Sequence, residues 1–295
     1  MILNVSGRTD IVAFYTKWFM KRLEEGYVDV RNPFNKHLIS RIFFEDVDAF
    51  LFCTKNPIPI IPYLAKIDKP IIFQITLTSY KKNIEPNVPD KKEVIEAIKR
   101  ISNIIGVDNL YIRYDPILVN EEYSIEYHKR AFAKLTEVLD GYVKHFIVSF
   151  IDDYKNVRKN MRYLKCRELD ENDYREIGVS FSSSARSHNM TVQTCFEDEN
   201  LVEYGFIKGE CLSREMAYNL TGKEYPRWRA RKEGKCECVQ MVDIGDYNSC
   251  RHFCKYCYAN YDETRVNENY IEHDDNSSLL IGVVGDGDII KRRQK

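Results

Sequence analysis

The sequence predicts an α/β fold, a complete or partial (β/α) barrel of the TIM type, on three observations. Six short β-branched or aromatic runs occur in the first 195 residues, longer amphipathic runs separate them, and polar residues follow several of the apolar runs. Alternating strands and helices of this kind build a parallel sheet covered by helices. A doubly wound open sheet is the alternative that the same pattern allows.

The predicted strands are short and bounded by turn residues. They are Ile2–Val5, Ala49–Cys53, Ile71–Thr76, Leu110–Tyr114, His145–Phe150 and Thr191–Thr194, and Val239–Ile244 is a candidate for one more. Apolar residues at helical spacing predict helices over Lys91–Ile105, Ile125–Leu139 and Asp170–Ser187, and an earlier helix with Trp18, Phe19 and Leu23 on one face. The apolar run Leu279–Val284 is expected to lie across the body.

Composition sets the class of protein. The chain has 295 residues, 44% of them hydrophobic, which suffices for one large α/β domain or a domain with a smaller appendage. A formal net charge of −1 gives no overall attraction to nucleic acid or anionic lipid. The N-terminal residues lack a signal-peptide pattern, and no stretch approaches the roughly 20 apolar residues of a membrane helix. We therefore expect a cytoplasmic protein without a membrane or nucleic-acid partner.

The cysteines are concentrated near the end of the chain. Seven of the nine fall between Cys195 and Cys257, whereas Cys53 and Cys166 stand alone. In a reducing cytosol disulfides are rare, so clustered cysteines indicate metal or redox chemistry. After residue 195 the alternation of strand and helix patterns gives way to irregular, cysteine-rich sequence. This change predicts two regions, a barrel body over 1–195 and a cysteine-rich region over 196–295 that packs on it.

Cys250, Cys254 and Cys257 lie in one short loop, at spacings of four and three residues. Three thiolates can hold a 4Fe–4S cubane and leave its fourth iron without a protein ligand. Such an iron can bind S-adenosylmethionine and pass it an electron, which yields methionine and a 5′-deoxyadenosyl radical. A zinc site with His252 as fourth ligand is the alternative, although His252 sits inside the spacer and is poorly placed to close a tetrahedron.

The pattern Cys-x-x-x-Cys-x-aromatic-Cys, with Tyr256 at the aromatic position, resembles the motif of the radical S-adenosylmethionine (radical SAM) superfamily. Tyr256–Ala259 looks like the corresponding run of spore photoproduct lyase and its relatives. The whole chain is similar to a family of uncharacterised proteins with a radical-SAM-like cysteine cluster at the C-terminus. The matching stretches are Arg8–Ile11, Thr54–Pro57, Arg113–Pro116 and Asp243–Gly245.

The resemblance implies a radical SAM enzyme that uses a 4Fe–4S cluster, S-adenosylmethionine and an electron donor such as flavodoxin or ferredoxin. It supplies no substrate, and the catalytic residues stay unassigned. Spore photoproduct lyase and its relatives carry the motif near the start of a βα barrel, whereas here it lies near the end. Two arrangements are open: a circularly permuted barrel with Val239–Ile244 as a barrel strand, or an arm folded over the barrel mouth.

Polar residues at the predicted strand ends are candidates for binding the cofactor. The carboxyl ends of parallel strands build the active site in such folds, so we expect a shared pocket there. Arg113 and Asp115 point to one side of a strand and could hold the carboxylate or ribose of the nucleoside, or form a structural ion pair. Arg8 and Asp10 are interpreted as a similar pair. The full set of candidates is Arg8, Asp10, Lys55, Gln74, Arg113, Asp115, Ser149 and Tyr256.

Four further cysteines precede the loop. Cys195, Cys211, Cys236 and Cys238 are enough ligands for a closed second 4Fe–4S cluster or a zinc site, or Cys195 and Cys211 are buried small side chains. Cys53, at a strand end, is a weaker candidate for a hydrogen-atom donor.

The basic stretch Arg227–Lys232 is interpreted as a solvated linker. Two other functions remain open, a non-catalytic iron–sulfur or zinc metalloprotein and a nucleic-acid repair or modification enzyme.

Overall fold

A computed structural model describes residues 1–195, 197, 201–229 and 236–294. Its strands are β1 (Ile2–Asn4), β2 (Tyr27–Arg31), β3 (Leu38–Phe43), β4 (Ala49–Thr54), β5 (Ile71–Thr76), β6 (Leu110–Ile117), β7 (His145–Phe150), β8 (Thr191–Thr194), β9 (Met241–Asp243) and β10 (Ile289–Arg292). Its α-helices are α1 (Ile11–Phe14), α2 (Thr16–Glu25), α3 (Lys91–Ile105), α4 (Ile125–Val138), α5 (Lys155–Leu164), α6 (Glu171–Ser187), α7 (Arg214–Thr221) and α8 (Glu263–Glu272).

Seven strands form one parallel sheet in the order β8-β7-β6-β5-β4-β1-β9. The six strands predicted in the first 195 residues are all present, and the predicted α/β class is confirmed. From β1 through β4 to β8 the order in space follows the order in the chain. Because the strands are parallel, the loops that follow them leave the same edge of the sheet.

β9 belongs to this sheet although it comes from the last third of the chain. It pairs with β1 in the register Ile2↔Met241, Leu3↔Val242 and Asn4↔Asp243. The candidate strand at Val239–Ile244 is therefore confirmed, and the cysteine loop leaves the sheet beside the loop that follows β1. A strand of the sheet, β9 (Met241–Asp243), thus directly precedes the cysteine loop.

The sheet is buried on both faces, as the continuous apolar strand runs indicate. On one face Phe50, Phe52 and Phe73 pack against the helices, with the Phe52 and Phe73 rings stacked at 5.0 Å. On the other face, alternate residues of five strands, including Ile2, Leu51 and Ile147, converge with residues of the last third of the chain. The latter are Leu212, Ala217, Val239 and Met241.

The predicted helices occur with small changes at their ends. α3 spans the predicted residues, and the side chain of its N-cap Asp90 accepts a hydrogen bond from the amide of Lys92. α4 ends one residue early because Leu139 is its C-cap, and α6 begins one residue late because Asp170 is its N-cap. In the described part of the chain, no helix is both long and apolar enough to cross a membrane.

A second sheet, in the order β10-β3-β2, was not predicted. β2 and β3 form an antiparallel pair, and β10 joins β3 in parallel. Charged residues break the apolar pattern of these strands, but they are paired: Arg41 donates two hydrogen bonds to the buried Asp29, at 2.7 and 2.9 Å. The tail lies across the body as expected, since Ser278 and Leu279 contact β2 at Asp29.

The side chain of His128, in α4, is buried, and each of its two ring nitrogens forms a hydrogen bond. Its Nε2 donates to the Leu118 carbonyl at 2.9 Å, and its Nδ1 accepts from the Tyr114 hydroxyl at 2.8 Å. The side chain is inaccessible to solvent. Burial lowers the pKa of His128 from 6.5 to about 4, because the charged form would lose its hydration.

We predict that this histidine makes the protein less stable in mild acid. As the pH falls from about 6.5 to about 4, the unfolded chain binds the proton first, so the free energy of unfolding falls by a total of about 3 kcal/mol. Urea unfolding at pH 7 and pH 5 measures the slope. His128→Gln should flatten it, whereas the exposed control His37→Gln should retain it. An equal slope in wild type and His128→Gln would contradict the assignment.

Candidate metal centre

A cavity of about 430 Å³ opens at the carboxyl edge of the parallel sheet. The ends of β1, β4, β5, β6 and β7 line it together with the cysteine loop. Every residue that the sequence predicts to bind the cofactor or a metal borders this one cavity: Arg8, Asp10, Lys55, Gln74, Arg113, Asp115, Ser149, Cys195, Cys211, Cys236, Cys238, Cys250, Cys254, Tyr256 and Cys257. The shared pocket is therefore present, whereas a larger cavity near the opposite strand ends contains none of these residues.

The carboxylate of Asp243 attaches the cysteine loop to β1. It accepts hydrogen bonds from the amides of Gly7 and Gly245, at 3.1 and 2.8 Å, and from Nε of Arg8 at 2.7 Å. A Cβ atom at Gly7 would lie 2.8 Å from Cγ of Asp243, so a larger residue has no room there. The loops after β1 and β9 are thus held as one unit.

Other elements hold the remainder of the cysteine loop. The Tyr15 hydroxyl donates to the Ser249 carbonyl at 2.7 Å, and Asn269 of α8 donates to the Asn248 carbonyl at 2.8 Å. The loop that follows β5 contributes a backbone contact, in which the amide of Lys255 donates to the Ile84 carbonyl at 2.9 Å. The loop is therefore supported from three sides of the cavity.

The three loop cysteines are free thiols close to one another. Cys254 is 8% exposed, and Cys250 and Cys257 are half-buried. Burial raises the pKa of Cys254 to about 12, against the opposing positive charge of Lys55. Burial also raises the pKa of Cys250, and the nearby Cys257 and Cys254 raise it further. Without a bound cation the thiols stay protonated at neutral pH, and ligation would release their protons.

His252 is directed at a carboxylate. Its Nε2 donates to Oδ2 of Asp10 at 2.9 Å, and its Nδ1 lies 3.4 Å from the Asn87 carbonyl oxygen. Both ring nitrogens are thus occupied, which does not favour the zinc arrangement with His252 as fourth ligand. Within the described ranges, no three His, Cys, Asp or Glu side chains already have the spacing of ligands to a single metal ion.

Glu85 is a central residue of the site that the sequence did not reveal. Only 1% exposed, it accepts hydrogen bonds from Lys55 at 2.9 Å and Thr78 at 2.7 Å, and also from Lys91 and Tyr256. Burial by itself would raise the pKa of Glu85, but the two lysines outweigh it and hold that pKa well below its ordinary value. In the sequence this glutamate stands in a polar stretch three residues after Lys82, and its pattern is that of a solvated residue.

Arg113 and Asp115 lie on one side of β6 as expected. Nε of Arg113 donates to Asp115 at 2.9 Å, and its Nη1 donates to Oε1 of Gln74 at 3.0 Å and to Sγ of Cys211 at 3.3 Å. The guanidinium therefore connects two strands with the segment around Cys211. Ser149, at the end of β7, borders the cavity.

The expected pairing of Arg8 with Asp10 is wrong. Arg8 pairs with Asp243 at 2.7 Å, whereas Asp10 pairs with His252. The reason is that Asp10 is the N-cap of α1: its Oδ1 accepts from the Ala13 amide at 2.9 Å, and its Oδ2 accepts from the Lys55 amide at 2.8 Å. Capping the helix turns this carboxylate away from Arg8.

The four other cysteines meet on the side of the cavity between β8 and β9. Cys195 and Cys211 are joined as a disulfide, contrary to the expectation of unpaired thiols. The thiols of Cys236 and Cys238 hydrogen-bond to each other, and Sγ of Cys238 accepts from the amides of Leu212 and Cys211. Cys195 and Cys211 also pack, partly buried, against the apolar cluster of Leu212 and Val239, as the interpretation as small buried side chains expected.

The remaining sequence candidates divide between the cavity and its surroundings. Cys53 borders the cavity, whereas Cys166 packs in an apolar cluster with Ile151. Arg227 forms an ion pair with Glu237 at 2.9 Å, so the start of the basic stretch is packed and not freely solvated. Arg231 and Lys232 lie outside the described residues.

A family model described as a domain of unknown function (DUF1848) matches residues 2–259. The chain belongs to this family. The match begins at β1 and ends at Ala259, so the DUF1848 region contains the whole parallel sheet and the cysteine loop. No curated protein matches this chain.

We predict that removing the charge of Glu85 destabilises this DUF1848 protein strongly. Glu85→Gln would leave the half-buried Lys55 and Lys91 without the carboxylate that pairs with both, so the free energy of unfolding should fall by about 3 kcal/mol. Urea unfolding at pH 7 measures the change. Glu122→Gln is the matched control, because Glu122 pairs with Lys81 at the exposed surface. Equal losses in the two variants would show that the buried pairs are not stabilising.

Proposed function

We propose that this protein is a radical SAM enzyme that acts on a substrate still to be identified. The observation that supports the proposal best is the position of the cysteine loop. The loop follows β9, β9 lies beside β1, and Cys250, Cys254 and Cys257 border a cavity at the carboxyl edge of the sheet. Catalytic groups of parallel α/β folds lie at this edge.

The donor set fits a 4Fe–4S cluster. It consists of three thiols from one loop, and the nearest imidazole, that of His252, is engaged by Asp10. Each thiolate of a cubane binds a different iron, so the ligands need not converge on one point as those of zinc do. When bound, the cluster would supply the electron that cleaves S-adenosylmethionine into methionine and a 5′-deoxyadenosyl radical.

The protein's own groups would prepare the site for a negatively charged cofactor. Nζ of Lys55 lies 5.2 Å from the centre of the Tyr256 ring, and its positive charge acts on Cys254. Glu85 holds both Lys55 and Tyr256 in place. A fixed cation beside a desolvated thiolate stabilises it without reorganisation. Lys55 and Tyr256 are thus proposed to position the cluster, with the Asp10–His252 pair behind them.

The other strand-end residues are proposed to form the nucleoside side of the cavity. Its volume of about 430 Å³ lies within the range of roughly 300–1,000 Å³ that small-molecule sites have. Asp115 and Ser149 border the cavity, and Oδ2 of Asp115 accepts from Arg113. Gln74 and Arg8 are also engaged with protein groups. We assign direct contacts with the cofactor to Asp115 and Ser149, and a positioning role to Arg8, Gln74 and Arg113.

We further propose that the sheet is a circularly permuted (β/α) barrel. Next to β8, the amide of Ile207 donates to the Val192 carbonyl at 2.9 Å. Ahead of β9, the amide of Val239 donates to the Leu212 carbonyl at 3.0 Å. The segment from Ile207 to Leu212 therefore links the two edges of the sheet, and β9 takes the place of a first strand. A low-potential donor of the flavodoxin or ferredoxin type would supply the electron.

The prediction is that Cys254 is essential for cleavage of S-adenosylmethionine. After anaerobic reconstitution with iron and sulfide and reduction with dithionite, the wild-type protein should produce 5′-deoxyadenosine, because a site-differentiated cluster passes an electron to the bound cofactor. Cys254→Ala should reduce the yield to the level without protein. Chromatographic quantification of 5′-deoxyadenosine measures the effect.

Cys166→Ala is the matched control, since Cys166 lies outside the cavity, and it should retain cleavage. Zinc without iron after anaerobic purification, or an iron-loaded wild type that produces no 5′-deoxyadenosine, would contradict the enzyme and favour a non-catalytic metalloprotein.

A further inference from the structure

We propose that Cys195, Cys211, Cys236 and Cys238 hold a second, closed 4Fe–4S cluster that exchanges electrons within the same cavity. These four residues come from separate parts of the last hundred residues, yet all border the cavity that contains the loop cysteines. No residue of the first centre takes part. The proposal therefore does not depend on the chemistry assigned to Cys250, Cys254 and Cys257.

Backbone hydrogen bonds fix the segments that carry the four cysteines. The amide of Cys195 donates to the Val148 carbonyl at 2.9 Å, which continues the pairing of β8 with β7. The amide of Val239 donates to the Leu212 carbonyl, and the amide of Trp228 donates to the Cys238 carbonyl at 2.9 Å. The backbone is thus held at Cys195 and Cys238 and at Leu212, the neighbour of Cys211, as a preformed ligand set requires.

A bridge to β8 places the segment that carries Cys211. Ile207 pairs with Gln193 of β8 in parallel, and the amide of Ile207 donates to the Val192 carbonyl at 2.9 Å. Gly209 then lies against the end of the Gln193 side chain, whose Oε1 would be 2.5 Å from a Cβ atom at that position. Cys211 follows two residues later, beside Cys195. The backbone of this segment is therefore shaped to bring the two thiols together.

The four sulfur atoms belong to one group. A disulfide joins Cys195 to Cys211, and a hydrogen bond joins the thiols of Cys236 and Cys238. The amide of Cys211 donates to Sγ of Cys238 and so connects the two pairs. Four thiolates complete the coordination of a 4Fe–4S cluster. Zinc pairs are commonly separated by two to four residues, whereas Cys236 and Cys238 are separated by one. These features favour a cluster over zinc.

The surroundings suit a cluster with a negative charge. Nη1 of Arg113 donates to Sγ of Cys211 at 3.3 Å, and Gln74 holds the Cys211 carbonyl. Hydrogen bonds to ligand sulfurs are among the factors that set a cluster's reduction potential. Four cysteine ligands leave no iron open to S-adenosylmethionine or to substrate. The second cluster is therefore inferred to transfer electrons and not to bind a ligand.

The disulfide is the form of Cys195 and Cys211 that contains no metal. Its conversion to ligands takes two electrons and two protons, which a dithiol reagent supplies as it is itself oxidised to a disulfide. Each thiol then releases its proton when it binds iron. Reconstitution with dithiothreitol, ferrous iron and sulfide provides all of these components.

The experiment uses the full-length triple variant Cys250→Ala, Cys254→Ala, Cys257→Ala, which lacks the ligands of the first centre. After anaerobic reconstitution it should contain about four irons and four sulfides per chain. Reduction with dithionite should produce an electron paramagnetic resonance signal that S-adenosylmethionine leaves unchanged, because no iron is open. Adding Cys236→Ser and Cys238→Ser should abolish both the iron and the signal, whereas adding Cys166→Ala should preserve them.

A folded triple variant that binds no iron, or that binds zinc in its place, would overturn the proposal. Circular dichroism verifies the fold. If the triple variant does not fold, the wild type and Cys236→Ser/Cys238→Ser are compared by Mössbauer spectroscopy, with about eight and about four irons expected. Equal iron contents would also overturn it. Failure of the proposed radical chemistry is separate, since it would appear as loss of 5′-deoxyadenosine formation with the second cluster still present.

Discussion

The pairing of β9 with β1 is the constraint on which the site depends. Three residues of each strand are in register, and the Asp243 carboxylate at the end of β9 then binds Gly7, Arg8 and Gly245. This short contact moves a loop from the last fifth of the chain to the carboxyl edge of a sheet built mainly by the first two thirds. Without it, the cysteines would have no fixed relation to the polar strand ends.

Buried charge is the second constraint. Burying a carboxylate costs several kcal/mol unless close partners offset the loss of hydration. Around Glu85 the protein places two half-buried lysines and a buried tyrosine hydroxyl, and around Asp10 it places His252 and two backbone amides. Buried ion pairs are weak as a source of stability, but they fix the positions of their partners. Both groups lie directly behind the loop cysteines, where fixed positions matter for a metal centre.

Much of the fold was predictable because it depends on local patterns. The strands of the parallel sheet are short, mostly apolar runs, and the ends of α3, α4 and α6 follow from capping residues. The three-stranded sheet was not predictable, because Asp29 and Arg41 interrupt its apolar alternation and are neutralised only by each other across β2 and β3. The same reason hid Glu85, whose partners are distant or unremarkable in the sequence.

The sequence by itself identified the residues of the candidate centres and the edge of the sheet at which they lie. Cysteine spacing is a local property, and parallel strands place their carboxyl ends together whatever the details of packing. Only the tertiary structure decided which charged groups pair, since a carboxylate chooses between partners by burial and geometry. Asp10 thus pairs with His252 and not Arg8, and Arg113 contacts Cys211 as well as Asp115. It also decided that four scattered cysteines meet, because that depends on the backbone contacts of Ile207 with β8 and of Leu212 with Val239.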